Sequence, residues 1–193
     1  METFTECKPL VDNPLYEEQR KEAIGQLDLG TIDAPIVDMI RNFAELPYCF
    51  TLQSCCGHFL YGNQKNSRNI DPLPGSEITA SVKYSIAYVA LCIHNSDRGR
   101  VLLEDLRAIP SIDPDFVQFG CAEWFWQKHV NSYVLQVEPL RHKTKDKVVI
   151  SFKEALHIEE IRNEFFNVLK QMVERRAIEA RIPGIPLVTS IEL

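Results

Sequence analysis

The stretch Ile86-Ala-Tyr-Val-Ala-Leu-Cys-Ile-His94 is nearly unbroken apolar sequence, and it constrains the fold more than any other segment. A strand with one wet face alternates apolar and polar residues, whereas a strand covered on both faces can be apolar throughout. The run therefore predicts a central strand with a layer of structure on each side. Asn95 or Ser96 then caps a helix carrying Val101, Leu102, Leu103, Leu106 and Ile109, which Pro110 ends.

The flanking segments fill in the layers. Asn13-Pro14 starts a helix, with Glu17 and Glu18 in the first turn, where the helix dipole favours acids; it ends near Gly30. A second helix begins at residues 31–33 with Pro35, places Ile36, Ile40, Phe43 and Ala44 at helical spacing, and stops at Leu46-Pro47. Residues 48–61 read as a strand, and 62–75 as a long polar surface loop holding Lys65 and Arg68. Residues 116–126 and 132–138 read as a β-hairpin, with Tyr133, Leu135 and Val137 alternating. Residues 141–147 form a basic loop. Ser151-Phe-Lys-Glu154 is a capping box that opens the longest helix. That helix sets Ala155, Ile158, Ile161, Phe165, Leu169 and Met172 on one face and runs to about Ala180. The expected fold is a single α+β domain over 13–181, with a mainly antiparallel or mixed sheet and helices packed on it. An extended arm (1–12) precedes it, and a tail (182–193) follows as an edge strand or loose end.

Composition narrows the function classes. The 193 residues carry a net charge of −6, which argues against wide, non-specific binding to nucleic acid. The first ten residues lack the basic start and apolar run of a signal peptide, and no stretch approaches a membrane span. The expectation is a cytoplasmic protein with no membrane partner, whose six cysteines are reduced. There is no CxxC pair, and no P-loop, dinucleotide-binding, zincin or nucleophile-elbow motif.

Four groupings can carry chemistry. The first is Ser54-Cys55-Cys56-Gly57-His58. On a regular strand Ser54, Cys56 and His58 share a face and Cys55 lies on the other, so only one cysteine shares a cleft with His58. A bulge at Gly57 swaps the face of His58. A thiol beside an imidazole is a nucleophile or a metal ligand, while two buried cysteines are simply small apolar residues. The second grouping is Cys92 with His94. If their strand neighbours the first, Cys56, His58, Cys92 and His94 can converge as a zinc-type site. The third is Trp124 and Trp126, which share a face on a strand; exposed they stack on a flat ligand, and buried, the expected case, they are core. Glu123 and His129 serve as acid or base only beside a cleft. The fourth is Arg98, Arg100 and Arg107, with the loop residues Arg141, His142, Lys143, Lys145 and Lys147. Arg98 and Arg100 sit near a helix N-terminus that favours anions, although a solvated surface is the ordinary explanation.

The order of elements resembles the wybutosine-synthesis methyltransferase family, which modifies a tricyclic guanine derivative in tRNA. Members carry a strand with Ser-Cys-Ser-Gly-Arg and a central strand reading like Phe-Ile-Leu-His-Val, then a helix, a hairpin and a closing helix. Ser54, Cys55, Gly57 and His94 match those positions, and the resemblance spans roughly residues 32–176. Cys56 stands in place of a serine, His58 in place of the arginine, and the family's Trp and Ser-His segment is missing from residues 60–80. The resemblance implies S-adenosylmethionine as cofactor and a transferase acting on tRNA or a small molecule. The transferase reading uses a cleft around residues 54–58 and His94, with Cys55, Cys56, His58 and His94 as candidate catalytic residues and Ser54 and Gly57 binding ligand. Arg98 at the helix start and the Trp124–Trp126 pair are ligand-binding candidates read from the residues themselves. Two other readings stand beside it. One is a thiol or metal enzyme using Cys56, His58, Cys92 and His94. The other is a non-catalytic binding or assembly module, whose free sheet edges pair with a second copy as a homodimer.

Overall fold

The computed structural model describes residues 4–75, 80–139 and 146–181. In chain order the elements are β1 (Phe4–Thr5), α1 (Tyr16–Gln26), α2 (Val37–Glu45), β2 (Cys49–Tyr61), β3 (Ser81–Ile93), α3 (Asp97–Ala108), β4 (Val117–Ala122), α4 (Glu123–Lys128), β5 (Ser132–Val137), β6 (Lys147–Ser151) and α5 (Phe152–Arg181). The strands form one sheet in the order β1-β4-β5-β3-β2, and β6 pairs with β3 beyond the end of β5. Every pairing among the described residues is antiparallel, so the α+β expectation holds in its antiparallel form. No helix among these residues is long and apolar enough to cross a membrane.

β3 is the interior strand that its apolar run predicts. Along it Val89, Leu91 and Ile93 join the main core with α2, α3 and α5. Ala90 packs with Phe125 of α4, and Cys92 with Tyr16 of α1, in two smaller clusters on the opposite face. Both faces are therefore covered, which is why neither register of side chains is polar. Local capping chemistry sets the helix ends. Ser96 Oγ accepts from Gly99 N–H at 3.2 Å to start α3, and Ser151 Oγ accepts from Glu154 N–H at 3.2 Å to start α5.

Three local expectations are corrected. The strand expected through Trp126 ends at Ala122, and Glu123–Lys128 turns into a short helix. An acid at its start and a lysine at its end suit the helix dipole. The second helix begins later than expected. Residues 28–36 form two short 3-10 turns, Leu29–Thr31 and Ala34–Ile36, which leave Asp33 between them on a loop. β6 was not anticipated, although Val148 and Ile150 are buried and Val149 is exposed in the alternation of a half-covered strand. Of the predicted basic loop only Asp146 and Lys147 are described, and the tail 182–193 lies outside the described residues.

Candidate functional site

β2 is an edge strand, and its midpoint is distorted. Gly57 sits at φ +79°, a backbone conformation that side chains disfavour. The ladder does not slip there: Cys56 stays opposite Ala87, and His58 opposite Ser85. What changes is the facing. In β3 the core residues are Val82, Tyr84 and Ile86 up to this point and Ala87 and Val89 beyond it, so two adjacent residues both enter the core and the period-two pattern shifts phase. β2 shifts with it, as Cys56 and Phe59, three residues apart, both enter the main core. Cys55 and His58, also three apart, consequently share a side. The pairing of Cys56 with His58 expected for a regular strand is thereby replaced by Cys55 with His58.

Asp33 completes the cluster. Its carboxylate accepts the outward Cys56 N–H at 2.9 Å, which closes the exposed edge of β2. The same Oδ2 lies 3.4 Å from His58 Nε2. One ligand atom each from Asp33, Cys55 and His58 lies within 4.8 Å of the other two. His58 Nδ1 faces the Asn69 carbonyl at 3.2 Å, so hydrogen bonding assigns that nitrogen a proton and directs Nε2 at Asp33. Burial pushes the Cys55 thiol up, and burial with the nearby Asp33 carboxylate pushes Cys56 up to about 12. Without a bound cation neither cysteine is a thiolate at neutral pH, which disfavours a free thiol nucleophile here.

The kink is held from behind by α5. Arg162 Nη1 donates to the Gly57 carbonyl at 3.3 Å, its guanidinium lies 5.0 Å over the Phe59 ring, and it pairs with Glu159 at 3.5 Å. Glu159 in turn accepts from Leu73 N–H at 3.0 Å. One ion pair therefore fixes both the strand distortion and one end of the 62–75 loop, whose Asn69 orients His58.

Beside this cluster runs a cleft of about 350 Å³ between α1 and β2. Gln19, Glu22 and Gln26 of α1, Asp28 and Thr31 of the turn, Gln53 and Ser54 of β2, and His129 supply its polar wall. A register shift between Thr51 and Gln53 marks a bulge at Leu52, which also lines the cleft. Cleft and cluster share both segments: residues 31 and 32 line the one and Asp33 forms the other, as do Ser54 and Cys55.

The remaining candidates lie elsewhere. Cys92 is opposite Phe50, seven residues along β3 from the partner of His58, roughly 23 Å away at strand rise. His94 stacks on Tyr16 with ring centres 4.5 Å apart. The four-ligand site of Cys56, His58, Cys92 and His94 therefore does not form, because the register sends the two pairs to opposite ends of the sheet. Trp124 and Trp126 do not share a face, since α4 is helical and places i and i+2 far apart around its axis. Trp124 is exposed beneath Lys128, and Trp126 packs edge-on against Tyr133. Arg98 is not part of the cleft, Arg100 pairs with Asp97, and Arg107 pairs with Glu104. Sequence reading missed Asp33, Arg162 and the cleft acids Glu22 and Asp28. Only Gly57 signalled that the strand would bend and change which neighbours meet.

No family model matches the chain, and no curated protein matches it. Among solved structures it is similar to the PH1069 protein from Pyrococcus horikoshii, with 12% identity, 86% of this chain and 95% of that one covered, and a TM-score of 0.44. It is also similar to a hypothetical protein from Aeropyrum pernix, with 17% identity, 77% and 98% coverage, and a TM-score of 0.39. At these scores the likeness identifies neither a family nor an activity.

Proposed function

We propose that this chain is a transferase-type enzyme that holds S-adenosylmethionine in the cleft between α1 and β2. The observation that carries the reading is the wall of that cleft. It includes Ser54, the first residue of the segment resembling the wybutosine-synthesis motif, together with the carboxylates of Glu22 and Asp28. Neither lysine nor arginine lines it among the described residues. Such a wall favours a cation with hydroxyl donors, and S-adenosylmethionine carries a sulfonium and a ribose. The volume falls in the range of small-molecule sites. The net charge of −6 favours a small acceptor over a polynucleotide.

Melting temperature with and without ligand tests this, because a molecule that binds only the folded state raises it. S-adenosylmethionine should raise it more than S-adenosylhomocysteine, which lacks the positive sulfur. Glu22→Gln, on the exposed face of α1, should shrink that difference without unfolding the chain. No shift with millimolar S-adenosylmethionine, or an equal shift with both compounds, overturns the reading.

A further inference from the structure

We infer that Asp33, Cys55 and His58 form a binding site for a zinc-type divalent transition-metal ion. This goes beyond the cleft ligand and does not depend on it. Each residue offers one donor atom, and the three lie within 4.8 Å of one another. Around a tetrahedral zinc ion with usual bond lengths, neighbouring donors are about 3.3–3.6 Å apart. The Asp33 Oδ2 to His58 Nε2 separation is already 3.4 Å. Closing the rest takes side-chain movement of about 1 Å, largely rotation of Cys55.

The surroundings of the donors point the same way. Metal-binding histidines usually donate the other ring N–H to a carbonyl or carboxylate, which fixes the tautomer and aims the ring. His58 has that arrangement, with Nδ1 3.2 Å from the Asn69 carbonyl oxygen. Asp33 is likewise fixed, by the Cys56 N–H at 2.9 Å. The Gly57 kink brings Cys55 and His58 to one side, and Arg162 on the Gly57 carbonyl holds the kink. The site is thus pre-shaped by backbone rather than by mobile side chains alone.

The donor set selects the ion. Sulfur, imidazole and carboxylate together suit zinc and its neighbours, whereas magnesium and calcium take oxygen ligands. On binding, the ion replaces the Cys55 thiol proton and any proton on His58 Nε2, and both are released to solvent. The thiolate and the carboxylate then neutralise its two charges. Three protein ligands leave a fourth position for water or substrate, the arrangement of catalytic rather than structural zinc. Cys55 is half-buried on the edge strand, so the cluster lies near the surface.

The test uses the full chain stripped with chelator and titrated with Co²⁺, which is visible where Zn²⁺ is not. One equivalent should give a thiolate-to-cobalt charge-transfer band, and Zn²⁺ should displace it. Zn²⁺ should raise the melting temperature, and Mg²⁺ should leave it unchanged. Cys55→Ser should abolish the band and weaken binding at least as much as losing an outer-shell partner does, about ten- to a hundredfold. Cys7→Ser, far from the cluster, should keep both. The wild-type titration needs no variant, so a folding defect in Cys55→Ser leaves the question decidable. Absence of the band in wild type, its persistence in Cys55→Ser, or an equal shift with Mg²⁺ overturns the inference.

Discussion

Replacing Gly57 by alanine tests the structural premise under the cluster. Two costs arise. The residue sits at φ +79°, where a side chain costs about 1–2 kcal/mol. An added Cβ would also lie 2.9 Å from Ala87 Cβ, 3.2 Å from Ala87 N and 3.2 Å from Arg162 Cδ. The Arg162 chain can swing away, but Ala87 is fixed in the interior strand, so overpacking adds about 1–3 kcal/mol. Lower entropy of the unfolded chain returns about 0.4–1 kcal/mol. The net expectation is a loss of roughly 1–5 kcal/mol, centred near 3, a large part of a typical domain's stability. Two further glycines calibrate it. Gly62, at φ +57° with nothing within 4 Å, pays only the backbone cost, so Gly62→Ala should lose about 1 kcal/mol. Gly25, inside α1 with nothing within 4 Å, should gain about 0.5–1 kcal/mol as alanine. Urea unfolding at constant m value reads all three. If Gly57→Ala costs no more than Gly62→Ala, the kink is not a close-packed feature and the argument for a pre-shaped site fails.

Two more outcomes follow from buried charge. Arg176 of α5 is 1% exposed and donates from Nε to Asp105 Oδ2 of α3 at 2.7 Å. Asp105→Ala strands a guanidinium in the core and should cost about 3 kcal/mol, the low end for a broken buried pair because Glu179 stays at 2.8 Å; urea titration measures it. Burial holds the His129 imidazole below its ordinary value, Lys128 adding to the effect and Glu22 opposing it. The unfolded chain therefore protonates first as pH falls. The stability owed to neutral His129 is complete above about pH 6.5 and is lost as pH drops from there through the lower folded value. His129→Asn should flatten the melting profile across that window, and an unchanged profile counts against the assignment.

Much of the frame was legible from local patterns. The apolar run of β3 reports two covered faces, and Ser96 and Ser151 mark helix starts because a cap is satisfied within three residues. The chain between Ala122 and Ser132 was harder. Its aromatic content suits strand and helix alike, and propensity cannot arbitrate so short a segment. The site was legible only in outline. Ser54 to His58 was the segment nominated and Gly57 the warning. A regular strand pairs Cys56 with His58, the alternative left open at Gly57 pairs Cys55 with it, and only the structure chose between them, while the strand end nominated as the neighbour of His58 was the wrong one.

By itself the sequence determined the long helices and the two long strands, that the sheet would be sandwiched at β3, and that a thiol and an imidazole would sit together on β2. Those properties depend on spacing along the chain. Tertiary structure alone decided the rest. The register that sends Cys92 toward Phe50, the Asp33 carboxylate arriving from 22 residues before Cys55 to cap the edge, and Arg162 reaching back from α5 to the Gly57 carbonyl are contacts between distant segments. Their geometry depends on how the layers pack, and no local period encodes that.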